Sequence, residues 1–199
     1  MVKKLKSELK QIILDNTKGY ILVLGVFIAG MALSYILNVT SGLESEIKLY
    51  INDFISGVKN YNTDSDTTFS LAMMGYIKGI CILLLMSLSL LGSAGTLVFI
   101  FIKGFSFGIV IISMFNILGY KAALLFLCLI LPHSIILVPC FLTYSLFCMK
   151  NAYSVCKGVK DLKTRVIMPI LYGILSVAFL SIASLIQAYV EPLLIRMIF

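Results

Sequence analysis

Apolar residues in this chain fall into long unbroken runs. They do not follow the short alternation of a half-buried strand or the one-sided stripe of a surface helix. A helix needs about 20 apolar residues to cross roughly 30 Å of hydrocarbon. Five runs approach or exceed that length: Gly19 to Leu37, Gly79 to Ile102, Gly104 to Tyr120, Ala122 to Cys148 and Val166 to Val190. Lys78 and Lys103 bound the second run, and Lys103 and Lys121 bound the third. A lone spanning segment satisfies its backbone polar groups only as a helix. The pattern therefore predicts an all-α, polytopic bundle of five spans in a single integral membrane domain.

Two of these runs need comment. Lys3, Lys4, Lys6 and Lys10 precede the first, as in a signal peptide, but the run exceeds the roughly 7–15 residues of a signal core and no small-x-small site ends it. The expectation is an uncleaved first span. The third run is short, extending only about 25 Å as a helix. A re-entrant hairpin there would move the Lys150–Arg165 cluster to the opposite side and even out the charge distribution, so the charge asymmetry favours a true crossing.

That asymmetry sets the orientation. With the N-terminus in the cytoplasm, the inside holds Lys3, Lys4, Lys6, Lys10, Lys18, Lys103, Lys150, Lys157, Lys160, Lys163 and Arg165, which is 11. The outside holds Lys48, Lys59, Lys78, Lys121 and Arg196, which is 5. The expected topology is N-terminus in and C-terminus out. Residues 1–18 form a cytoplasmic basic segment, 39–70 an extracytoplasmic loop and 149–165 a cytoplasmic basic loop.

Composition agrees. Of 199 residues, 60% are hydrophobic and 13% charged, about half the charged share of a soluble domain, and the mean hydropathy is +1.06. The net charge of +7 sits in clusters flanking the apolar runs. No basic stripe interleaved with aromatics appears, so nucleic acid is not an expected partner. Cys81, Cys128, Cys140, Cys148 and Cys156 lie in or beside apolar runs without CxxC spacing. They read as small buried hydrophobes, not as a disulfide framework or a metal site.

Two polar segments carry apolar faces. In the outer loop Leu43, Ile47, Tyr50, Ile51, Phe54, Ile55 and Val58 fall on one helical face, opposite Glu44, Glu46, Lys48, Asp53 and Lys59. This amphipathic helix either lies on the outer leaflet or docks an extracytoplasmic partner through Leu43, Ile47, Tyr50, Ile51, Phe54 and Val58. Asn60 to Thr68 reads as a polar, acidic loop. At the N-terminus Leu5, Leu9, Ile12 and Ile13 share a face among lysines, as in a helix on an anionic leaflet.

Within the spans, Gly75 and Gly79, then Gly104 and Gly108, are spaced GxxxG, and Gly92 to Gly95 form a patch of small residues. Small residues let helices approach closely where no hydrophobic force drives them together. Packing within one subunit is the first reading and a homo-oligomer face the second. The fourth run holds Pro132, His133 and Pro139. Proline removes a backbone donor and disturbs the preceding turn, so a kinked helix is expected, with the lone histidine hydrogen-bonded at the kink. No HExxH, GxSxG or Walker A motif occurs, and no catalytic set forms around one histidine. The expectation is a protein with no enzymatic activity, no metal and no cofactor.

The stretch Ile100 to Leu142, IFIKGFSFGIVIISMFNILGYKAALLFLCLILPHSIILVPCFL, resembles the stage II sporulation protein M family. That family shows a Lys-Gly, small-residue spacing, a Leu-Pro-His or Leu-Pro-Gln turn and a second proline. Leu185-Ile-Gln-Ala-Tyr-Val-Glu-Pro-Leu-Leu194 resembles its closing pattern. Broader relatives place a glutamate between the two prolines where Leu137 stands here, so no role of that glutamate carries over. The resemblance implies a membrane scaffold in endospore-forming bacteria. It would position two wall hydrolases, the stage II sporulation proteins D and P, at the septal membrane of the mother cell during engulfment. A second reading is a small transporter or channel-like subunit, built on the broken fourth span, His133, Asn116 and the glycine-rich second and third spans. The absence of an acid within the runs weighs against it.

Overall fold

The computed structural model describes residues 17–41, 64–89, 91–156 and 166–198. The predicted helices at 1–16 and 43–58 lie outside these residues, as does most of the basic loop ending at 165. Among the described residues there is no strand. The described residues form five helical rods: α1 (Thr17–Ser41), α2 (Ser65–Leu88), α3 (Gly92–Leu118), α4 and α5. The last two are composite. α4 runs as Lys121–Leu125, a wide-turned segment Phe126–Ile130, then Leu131–Cys156. α5 runs as Met168–Leu185, a second wide-turned segment Ile186–Val190, then Glu191–Ile198. All five contain a stretch long and apolar enough to cross a membrane.

The number of spans agrees with the hydropathy pattern, but the second and third lie elsewhere. The expected Gly79–Ile102 and Gly104–Tyr120 are in fact Ser65–Leu88 and Gly92–Leu118. α2 begins where a loop was expected, on a capping signal. The Asp64 side chain accepts the Asp66 N–H at 3.2 Å, and the Thr67 and Thr68 hydroxyls both donate to the Asp64 carbonyl at 2.9 Å. Its end carries no charge. Ser89 N–H donates to Met86 O, Leu91 N–H to Ser89 Oγ and Gly92 N–H to Ser89 O. A side chain at Gly92 would collide with the Met86 carbonyl, so the turn is tight enough to require glycine there. α3 is then a full 27-residue helix, about 40 Å long. It ends on Gly119, whose φ of 56° and ψ of −129° form a turn that glycine adopts without strain and that L side chains rarely enter. A short third crossing does not exist, and Lys78 and Lys103, expected at interfaces, stand near the middles of α2 and α3.

α4 is the hub of the packing. It supplies Ala122, Leu125 and Ile130 to a cluster with Met114 of α3, and Leu142 and Leu146 to one with Val23, Phe27 and Ile100. Its Phe141, Tyr144 and Cys148 meet Ile80, Leu83 and Leu180 of α2 and α5. α1 lies along α3 in parallel. A side chain at Gly30 would strike the Phe101 carbonyl, one at Gly104 the Phe27 carbonyl, and one at Gly108 the Ser34 hydroxyl. Three buried hydroxyls satisfy themselves on their own helices, Ser34 on Met31 O (2.6 Å), Thr96 on Gly92 O (2.7 Å) and Ser145 on Leu142 O (2.9 Å), whereas the buried Ser134 Oγ has no partner among the described residues. Large apolar side chains such as Leu71, Leu85, Ile135 and Ile174 point outward, the arrangement of a bundle whose solvent is lipid.

Candidate functional site

Both composite helices widen just ahead of a proline. Pro132 and Pro192 have no N–H, and their rings crowd the carbonyls four residues back, at Cys128 and Ala188. Those carbonyls lie within the two wide-turned segments. There the backbone bonds run over five residues, Leu131 N–H to Phe126 O and Glu191 N–H to Ile186 O, which opens the turn enough to admit the ring. The two wide turns touch one another's helices, and beside each proline stands an ionisable residue, His133 on α4 and Glu191 on α5.

These two side chains meet. His133 Nδ1 lies 2.6 Å from Glu191 Oε1 and 3.1 Å from the Leu129 carbonyl. Two oxygen acceptors facing Nδ1 mean that it carries the hydrogen, donated chiefly to the carboxylate. The side chains are 14% and 2% exposed. A net charge at that depth costs several kcal/mol, so the neutral combination of imidazolium with carboxylate, or of imidazole with carboxylic acid, is favoured over a lone anion. The expectation that His133 has no acid within the membrane is therefore corrected. Glu191, one residue beyond the expected end of the last span at Val190, is buried inside the bundle.

The same end of the bundle holds further cross-helix bonds. Tyr76 on α2 donates its hydroxyl to Gln187 Oε1 at 2.8 Å, and Tyr189 donates to Asp66 Oδ1 at 2.6 Å. At the opposite end Asn151 donates to the Ser87 carbonyl at 3.1 Å and Tyr144 to the Pro169 carbonyl at 3.2 Å. Gly173 leaves room for Tyr144, whose hydroxyl would come within 3.0 Å of a side chain there. Pro139 lies mid-helix in α4 and lines an apolar cavity of about 330 Å³ with Cys140, Tyr144 and Phe179.

A second cavity, about 240 Å³, lies among α1 to α4 and contains Lys103. The ammonium sits 5.6 Å from the Phe99 ring centroid and 5.7 Å from that of Phe141, within the range of a cation–π contact. Gly79 makes this possible, because a side chain there would come within 2.9 Å of the Phe141 ring. Tyr76, Ser106 and Phe107 complete the polar and aromatic lining. Among the described residues no three His, Cys, Asp or Glu side chains gather as metal ligands would.

The remaining candidates are distributed widely. Gly95 packs on the Met86 side chain, and Gly75 faces open space. Leu43, Ile47, Tyr50, Ile51, Phe54 and Val58 are outside the described residues. In a comparison with known families, the stage II sporulation protein M model aligns with residues 20–192. The chain belongs to the stage II sporulation protein M family. The match spans all five helices, from the start of α1 to the Glu191-Pro192 pair. Neither the curated proteins nor the solved structures contain a significant match. Membership brings sporulation and a multi-pass membrane location together with the fold. Sequence reasoning found His133 and both prolines near it. It missed Glu191, Tyr76 and Gln187, although Glu191-Pro192 repeats the signal of a charge beside a proline in an apolar run.

Proposed function

We propose that this protein is a non-enzymatic membrane scaffold of the engulfment machinery. It holds extracytoplasmic peptidoglycan hydrolases, the stage II sporulation proteins D and P, at the septal membrane of the mother cell. The family match over residues 20–192 carries this reading. The geometry supports it, since the paired polar groups fasten helix to helix: His133 to Glu191, Tyr76 to Gln187 and Asn151 to Ser87. The orientation proposed with it places the N-terminus in the cytoplasm. With Lys103 and Lys78 now inside the membrane, the 11 and 5 flanking cations become ten inside and four outside, a steeper bias in the same direction. The segment 43–58 then faces the wall. Tagged protein purified from sporulating cells carries both hydrolases in this account. An Ile51→Glu/Phe54→Glu variant that folds normally loses them. Retention of both hydrolases by that variant would remove the 43–58 face from the account, and their absence from the wild-type preparation would remove the scaffold.

One observation favours the second reading, a small transporter or channel-like subunit. A His–Glu pair between two proline-widened helices has the parts of an intramembrane proton site. Proton flux through liposomes holding purified protein, lost in Glu191→Gln, would establish it.

A further inference from the structure

Among the described residues Lys78 has no hydrogen-bond, ion-pair or ring partner. Counted from Phe69, the first residue after the polar opening turn of α2, to Leu88, it is the tenth of 20 residues. That places it near the bilayer centre, about 15 Å from either boundary, beyond the reach of an extended lysine side chain. It is exposed, as are Leu71, Met74, Gly75, Cys81, Ile82 and Leu85 along the same side of α2. A side chain built at Gly75 would meet no atom within 4 Å. Lys103, by contrast, rests on two phenyl rings. On insertion scales a lysine at the centre of a helix costs about 2.5–3.5 kcal/mol. This face presents that charge to lipid, one turn from a glycine that would let another backbone come close.

We infer that the Leu71–Leu85 face of α2 docks a transmembrane helix of another protein that carries an aspartate or glutamate at mid-span. Charge complementarity selects this occupant. A second copy of this chain cannot provide the acid. Of its nine carboxylates, the described spans hold two, Asp66 in the opening turn of α2 and bonded to Tyr189, and Glu191 buried on His133. The outer segment 43–58 is also excluded as a spanning partner, because 16 residues reach only about 24 Å. Gly75, with Lys78 three residues on, forms a small-then-cationic notch, and Cys81 and Ile82 continue the same stripe. The inference deepens the scaffold reading and rests on it in supposing a membrane partner. Its test uses a designed helix rather than the hydrolases, so the two can fail separately.

The probe is a Leu–Ala helix of about 20 residues with one central Asp, alongside a twin with Leu there. Association with the full-length protein is read by energy transfer in liposomes. The Asp helix is expected to bind about tenfold more tightly than its twin. Lys78→Met, which removes a charge from lipid and so preserves folding, should erase the difference, and Gly75→Leu should weaken binding of both helices. Lys78→Asp should transfer the preference to a Lys-bearing probe. With Cys81 as the sole cysteine, oxidation should cross-link the protein to a cysteine one turn from the probe's Asp, and a sole cysteine at Ile174 should not. Equal binding of the two helices would overturn the inference. So would Asp-helix binding that survives Lys78→Met, or self-association through Cys81 that shuts the probe out.

Discussion

Replacing Glu191 with leucine takes away the only described acid facing His133 and leaves the imidazole buried without its partner. In a soluble interior, breaking a buried pair from one side costs about 3–5 kcal/mol. In a membrane the separated helices find other partners, and measured side-chain hydrogen bonds between helices average about 0.6 kcal/mol with a maximum near 1.7. Three features place this pair at the upper end of that range. The 2.6 Å separation is that of a charge-assisted bond. Glu191 is 2% exposed, and Pro192 beside it holds the backbone in place. We expect each single change, His133→Leu and Glu191→Leu, to destabilise the bundle by about 1–3 kcal/mol. The double change should cost less than the two added together, by about 1.5 kcal/mol. Glu191→Gln, whose amide oxygen still accepts from Nδ1, should lose less than Glu191→Leu. Reversible unfolding of the purified protein in mixed micelles with added SDS reads all four values. Asn151→Ala, at the other end of the bundle, serves as the uncoupled control. Additivity of His133→Leu and Glu191→Leu within about 0.3 kcal/mol would mean that the two residues are not joined, and the polar site would be wrong.

Other expectations can be checked with the same preparation. Gly108→Leu forces the α1–α3 seam apart at Met31 and Ser34 and should cost more than about 3 kcal/mol in SDS titration, whereas Gly75→Leu should leave stability unchanged. Tyr76→Phe removes one hydroxyl bond to Gln187 and should cost about 0.5–1.5 kcal/mol. Lys103→Met exchanges a cation–π contact of about 0.5–2 kcal/mol for relief from a larger burial cost, so thermal stability in detergent should rise or hold. A marked fall would show that Lys103 pairs with something more than the rings of Phe99 and Phe141. In a background without cysteine, Cys at Leu91 should react with an impermeant maleimide only from the cytoplasmic side and Cys at Tyr120 only from outside. Labelling of Cys at position 103 from water would restore the interfacial lysine expected from the hydropathy pattern.

Hydropathy made the number of spans legible because a bilayer imposes a length on every crossing. It did not reveal where α2 ends. The turn there uses Ser89, Leu91 and Gly92, whose bonds are satisfied locally, so apolar character runs through it unbroken. Lys78 and Lys103 gave the misleading boundaries. Lysines usually mark interfaces, but one of these is held by aromatic rings and the other faces lipid. The Asp64–Thr68 cap was visible as residues and was read as a loop because its helix was assigned elsewhere. Prolines and glycines were legible as packing devices. Their partners were not, because the contact of His133 with Glu191 joins residues 58 apart, and spacing along one helix says nothing about which neighbour it meets.

Each wide turn has a geometric consequence for the helix beyond it. An α-helical residue advances about 100° around the axis, and a five-residue backbone bond accommodates one residue more than the regular ladder would. Everything after Ile130 on α4, and after Val190 on α5, is therefore rotated by roughly that angle relative to a straight continuation. On α5 the shift falls at the residues that meet α4, where Ala188 and Glu191 are buried and Glu191 faces His133.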